Sequence, residues 1–258
     1  AGEWFMEKRR YLIDEVGVDG FKTDGGEFIL DDDLRFSNGA TGRKMRNLYP
    51  PLFLRAFHTF AGPDRVLFSR GGYTGAQQYP VYWAGDQAST YEEMRSILRG
   101  GLSLSLCGNP FWGFDIAGFA SDMPSAELYI RSAQMGAFCP VMQYHSAPVG
   151  GFFGDEESFN NDRTPWNMAE YTGEKEIIPL FRYLANLRMN LLPYIYREAV
   201  HCVEAHEPMM RPLLLDYPDE QAVYGIDDQY LFGRDILVAP VLTEGADGRD
   251  VYLPQGEW

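Results

Sequence analysis

The chain has 258 residues, 45% hydrophobic and 15% aromatic, which is enough apolar material for one large α/β domain or two modest ones and too much for a disordered segment. A formal net charge of −15 argues against nucleic acid and anionic membrane surfaces as partners, because both carry the same sign. The three cysteines, Cys107, Cys139 and Cys202, show no metal or redox spacing, so reduced thiols and a cytoplasmic setting are expected, and no apolar run approaches the ~20 residues of a membrane span.

The opening segment places Phe5, Leu12, Ile13 and Val16 on one predicted helical face, with Gly17 where a helix would end. A short strand over 18–24 follows and runs into Gly25-Gly26. Next come a helix over 49–60, a strand over 66–70 with Gly71-Gly72 after it, and a strand over 81–83 leading into Ala84-Gly85-Asp86. Thr90 and Glu93 form a capping box for a helix whose apolar face is Met94, Ile97 and Leu98. Residues 102–106 and 111–114 read as strands, and Asp115 follows the second. A helix over 126–135 and a strand over 139–144 come next, with His145 at the strand's end. The long pattern over 176–205 turns Ile177, Leu180, Phe181, Leu184, Leu187 and Leu191 inward, with Pro193 as an expected kink.

Strand, polar residue, glycine-rich loop and helix recur about five times, an alternation that argues for a parallel α/β sheet. Each strand ends in a residue with chemistry in it: Asp24, Arg70, Asp86, Asp115 and His145. In a (β/α)₈ barrel such residues converge at the C-terminal ends of the strands, although a doubly wound sheet also binds there. From Gln229 onward the texture changes to short strands without helical period, over 230–233, 236–241 and 251–254. The expected division is therefore a partial barrel over 1–207 and the start of an all-β sandwich over 208–258, with the boundary near Pro208.

Two carboxylates stand out. Lys22 and Asp24 share one face of their strand, and a cation beside a carboxylate keeps it charged, as a nucleophile requires. The same pattern also serves a strand-end ion pair. Asp86 follows Tyr82 and Trp83 with no cation adjacent in sequence, so an apolar setting that retains a proton is expected; a turn aspartate is the bland alternative. One charged and one protonated carboxyl is the pair a retaining glycosidase uses. Arg70, Asp115 and His145 are suited to sugar hydroxyls and equally to an ion pair, a loop cap and a core histidine. Trp83, Trp112 and Phe119 offer flat faces for a sugar ring or for packing.

Other chemistries find no support. Asp31-Asp32-Asp33 lacks the spacing and distal glutamate of a calcium loop. None of the four Gly-Gly pairs continues as a phosphate-binding loop, and neither a Gly-x-Ser-x-Gly elbow nor a zinc motif is present. No cofactor and no metal are expected.

At these residues the chain resembles glycoside hydrolase family 31, the α-glucosidase and α-xylosidase family. Gly17 to Glu27 (GVDGFKTDGGE) resembles the nucleophile strand in its Lys-Thr-Asp, xylosidase-type form. Phe68-Ser69-Arg70 resembles the next barrel strand, and Tyr82-Trp83-Ala84-Gly85-Asp86 the acid/base segment. Phe111 to Phe119 (FWGFDIAGF) resembles the Asp-Ile-x-Gly-Phe block whose aspartate contacts the sugar. Gln143-Tyr144-His145-Ser146 is similar to the segment carrying a substrate-binding histidine, and Phe232 to Val241 to the strand that opens the sandwich after the barrel.

The resemblance implies a retaining α-glycosidase acting on α-linked glucosides or xylosides, with Asp24 as nucleophile and Asp86 as acid/base. The implied substrate-binding groups are Lys22, Arg70, Trp83, Trp112, Asp115 and His145, and the implied partner is an oligosaccharide or glycoside. It leaves open an α-galactosidase, an α-N-acetylgalactosaminidase, an α-glucosyltransferase or a non-catalytic carbohydrate-binding protein. Family members carry a β-sandwich and the first barrel strands before the nucleophile, so the sequence reads as a segment of something longer. The strands ending at Asp24 and His145 are then expected to be edges that can recruit another copy into a homo-oligomer.

Overall fold

The computed structural model describes residues 2–79, 81–120, 122–147 and 161–258. The Gly150-Gly151 pair lies outside them. The chain divides into two compact units, Ala1–Trp83 and Ala84–Trp258.

The first unit begins with two short helices, α1 (Gly2–Glu7) and α2 (Arg10–Asp14), where the sequence suggested one continuous helical face. Strand β1 (Gly20–Thr23) leads to α3 (Gly42–Ala61), then β2 (Val66–Ser69) and β3 (Val81–Trp83). Helix α3 starts seven residues before the expected Tyr49, capped by Thr41 Oγ1 accepting from the Lys44 amide. It carries Pro50 and Pro51 in its interior and buries Met45, Leu54, Phe57 and Phe60. It packs on β1 and β2, where Phe21 meets Phe57 and Phe60 at ring centroid distances of 6.3 and 5.6 Å. The three strands are parallel neighbours, with Lys22 opposite Phe68 and Ser69 opposite Tyr82. Beyond β1, exposed Phe28 and Leu30 flank buried Ile29. Arg46 of α3 donates to the carbonyls of Ile29 (3.1 Å) and Leu30 (3.3 Å) and pairs with Asp32.

The second unit contains α4 (Tyr91–Leu106), β4 (Phe111–Asp115), α5 (Ala126–Ala137), β5 (Val141–Gln143), α6 (Pro165–Thr172) and α7 (Ile177–Ala205). Thr90 Oγ1 accepts from the Glu93 amide at 3.1 Å, as the capping box predicts. The strand expected over 102–106 is instead the last turn and a half of α4, since Ile97, Leu98, Gly101, Leu102 and Ser105 are buried at helical spacing. Strands β4 and β5 pair in parallel, with Asp115 opposite Gln143. Helix α7 runs through Pro193 without a break and buries Ile177, Phe181 and Leu184, whereas Leu180 is exposed.

After α7 come β6 (Met210–Pro212), α8 (Leu213–Asp216), β7 (Tyr230–Phe232) and β8 (Ile236–Val238). The three strands form an antiparallel sheet in chain order. Its core joins Leu213, Val223 and Leu231 to Leu237 and Tyr252. Strand β6, which ends on Pro212, is not among the expected strands, and the strand expected over 251–254 is irregular chain, where Gln229 Nε2 donates to the Tyr252 carbonyl and Oε1 accepts from the Tyr252 amide.

Candidate active site

In the first unit the functional side chains follow from strand register. Side chains alternate across a strand, and the pairing puts Lys22 beside Phe68. One step further along each strand, Asp24, Arg70 and Trp83 fall on the same face. Arg70 Nη1 lies 2.9 Å from Asp24 Oδ1, and Nε donates to Glu27 Oε1 at 2.6 Å. Asp24 is largely exposed (67%) while Arg70 is mostly covered (17%), so the guanidinium forms a floor and the carboxylate stands open above it. Lys22 Nζ lies 4.5 Å from the Trp83 ring centre and 5.5 Å from that of Phe68. Trp83 itself is buried, packed on Phe68 at 5.3 Å. A Cβ on Gly71 would come within 2.9 Å of both Glu27 Oε2 and the Gly25 carbonyl, so only glycine lets Glu27 reach Arg70 here.

In the second unit Asp86 is exposed, which corrects the apolar setting expected for it. The expectation failed because Tyr82 and Trp83 are buried in packing of their own, with the Tyr82 hydroxyl donating to the Ala76 carbonyl. The segment after Asp86 is tied to the turn that follows β4. The Gln87 carbonyl accepts from the amides of Phe119 (2.9 Å) and Ala120 (3.1 Å), and Ala88 bridges Ala120. Gly118, at φ +88°, lies against the Gln87–Ala88 backbone so closely that a Cβ would sit 2.9 Å from the Ala88 carbonyl. Asp115 is fully buried at the end of β4 and accepts from Gln143 Nε2 at 2.8 Å. Ala117 adopts the left-handed conformation (φ 60°), its amide donating to Ser132 Oγ at 2.7 Å. His145 is exposed two residues past β5, its ring 5.0 Å from that of Phe119.

Trp112 is placed differently from its expected role. It lies on the face of β4 opposite Asp115 and is 1% exposed. A Cβ on Gly101 of α4 would fall 1.7 Å from its indole, so Trp112 is a packing residue between strand and helix.

Three residues near these groups had been given no role. Glu27 and Gln143 partner Arg70 and Asp115. Arg163, fully buried, donates to the Phe119 carbonyl, Ser89 Oγ and the Asp122 carbonyl. Burial lowers the Arg163 guanidinium to about 10, with the Asp115 carboxylate opposing that shift, so it remains a cation at neutral pH. Among the described residues no group of histidine, cysteine and carboxylate side chains is arranged to hold a metal, and no helix is long and apolar enough to cross a membrane.

The family models match almost the whole chain: the glycosyl hydrolases family 31 TIM-barrel domain over residues 1–198 and the family 31 C-terminal domain over 206–258. The chain belongs to glycosyl hydrolase family 31. The isomaltosyltransferase of Sporosarcina globispora is 45% identical across 100% of the chain, and the 1,3-alpha-isomaltosidase of Kribbella flavida is 44% identical across 99%. The chain spans 23% and 35% of those two curated relatives. The cycloalternan-degrading enzyme from Trueperella pyogenes, solved in complex with a covalent intermediate, superposes with a TM-score of 0.91 at 41% identity, covering 99% of this chain and 35% of that one.

Proposed function

We propose that the protein containing this chain acts on α-glucosidic linkages by double displacement, with Asp24 as nucleophile and Asp86 as acid/base. The observation that carries this is the Arg70–Asp24 pair at the end of a parallel strand, which leaves one exposed carboxylate oriented by a covered cation. In the first step an Asp24 oxygen attacks the anomeric carbon and forms an ester as the glycosidic carbon–oxygen bond breaks. The leaving oxygen takes the proton of Asp86. In the second step Asp86 removes a proton from an incoming hydroxyl, whose oxygen displaces Asp24 and restores the carboxylate.

An isomaltosyl or glucosyl donor is favoured over a xylosyl one, since the relatives at 45% and 44% identity are named for isomaltosyl units. With water as acceptor the enzyme is a glycosidase; with a sugar hydroxyl it is a transferase, the reading favoured by the isomaltosyltransferase relative. Asp115 and His145 are proposed to grip hydroxyls of the donor, Asp115 fixed by Gln143. The test is time-resolved NMR of the full-length protein turning over an α-linked gluco-oligosaccharide. The α-anomer or an α-linked transfer product should form first, and a β-anomer formed first would overturn the mechanism.

A further inference from the structure

We propose that Arg163 is a positioning residue that fixes the acid/base segment; this rests on the assignment of Asp86 above. A buried guanidinium is costly unless its donors are used, and here both terminal nitrogens reach acceptors in the 119–122 and Ser89 segments. Nη1 donates to the Phe119 carbonyl at 2.5 Å, while Nη2 reaches Ser89 Oγ at 2.9 Å and the carbonyls of Asp122 and Ala120 at 3.3 and 3.4 Å. Phe119 and Ala120 are the residues whose amides grip the Gln87 carbonyl, next to Asp86, and Ser89 lies three residues beyond Asp86. Arg163 therefore holds the Asp86 segment twice, directly through Ser89 and indirectly through the 119–120 turn. It is itself tethered to α5, since the Tyr129 hydroxyl donates to its carbonyl at 2.8 Å.

An exposed carboxyl on a short segment delivers a proton efficiently only if the segment holds it within reach of the leaving oxygen. The planar fork of Arg163 supplies that rigidity, and a lysine of equal charge cannot span the same acceptors.

The experiment uses the full-length protein and compares a nitrophenyl α-glucoside, which leaves without a proton, with an unactivated α-linked gluco-oligosaccharide. Thermal unfolding is recorded alongside. For Arg163→Lys, kcat/KM, which reports the first displacement alone, should fall ~10- to 100-fold on the oligosaccharide and by less than ~3-fold on the nitrophenyl substrate. Equal losses on both substrates would mean that Arg163 only stabilises the fold, and would overturn the proposal. If Arg163→Lys does not fold, Ser89→Ala decides, since it removes one acceptor and leaves the arginine: a smaller but still selective loss upholds the proposal and an unselective one overturns it. Asp86→Ala is the reference. If it shows no leaving-group selectivity, the assignment of Asp86 itself fails and this proposal fails with it. If it is selective while both other variants are not, only the role of Arg163 is lost.

Discussion

Arg70 places Nη1 2.9 Å from Asp24 while giving Nε to Glu27 at 2.6 Å, so one guanidinium is shared between an exposed carboxylate and a more covered one. Sequence parity pointed to Lys22 as the cation serving Asp24. Register shows why Arg70 does so: it stands level with Asp24 on the neighbouring strand, whereas Lys22 lies one pleat back over Trp83 and Phe68.

Glu27→Gln should therefore damage the site without touching substrate. It removes the negative partner that aims Arg70, leaving the guanidinium free to reorient against Asp24. A fall in kcat of ~10-fold or more with KM little changed is expected. Steady-state kinetics on the full-length protein checks this, and unchanged kcat would show that Arg70 is held by its other neighbours alone.

Asp24→Ala should abolish turnover and be rescued by azide, giving a glycosyl azide of inverted configuration. Asp86→Ala should lower kcat/KM on natural substrates more than on those with activated leaving groups, because only poor leaving groups need the proton. Identical dependence of the two variants on leaving-group acidity would mean that the roles are wrongly divided.

Trp112 contributes to stability rather than to sugar binding. Gly101→Ala drives a methyl into its indole and should cost roughly 1–3 kcal/mol. Trp112→Ala, leaving a cavity, should cost ~3–5 kcal/mol. Denaturant unfolding measures both; a raised KM in a stable Trp112→Phe variant would restore the indole to the binding site.

Glu198 of α7 is inaccessible and takes hydrogen bonds from Arg234 (2.9 and 3.0 Å) and Arg197 (3.0 Å). Arg234 chiefly, against the opposing effect of burial and with help from Arg197, holds its carboxyl down to about 2. An unfolded glutamate titrates near 4.5, so the contribution of this group is full above that pH and is lost as pH falls toward 2. The difference corresponds to roughly 3 kcal/mol. Thermal melts between pH 5 and pH 2.5 should lose less stability in Glu198→Gln than in the parent, which starts higher. Parallel pH curves would show that the pairing does not differ between folded and unfolded chains.

The sequence carried the strand–loop–helix rhythm because β1 to β4 are short, apolar and followed within three residues by glycine, and α4 to α7 open on a threonine, serine or acidic residue. It misled at 102–106, where leucine and serine alternate with the period of a strand. The segment is helical, and Gly101 before it makes room for Trp112 inside a continuous helix. Asp24, Arg70, Asp86, Asp115 and His145 were legible as polar residues ending apolar runs. Arg163 was not, since its partners are mostly backbone carbonyls more than forty positions away, and a carbonyl looks the same in every residue.

The grip of Arg46 on the carbonyls of Ile29 and Leu30 separates the anchoring of that loop from what it displays. Backbone acceptors survive any exchange of side chain, so Phe28 and Leu30 can vary at a folding cost of about 0.5 kcal/mol or less each. Phe28 lies 5.2 Å from the Arg70 guanidinium. The surface over Arg70 is thus open to mutational drift while the Arg70–Glu27 pair beneath it is not, and a saturation library that probes its influence on the proposed reaction belongs at Phe28.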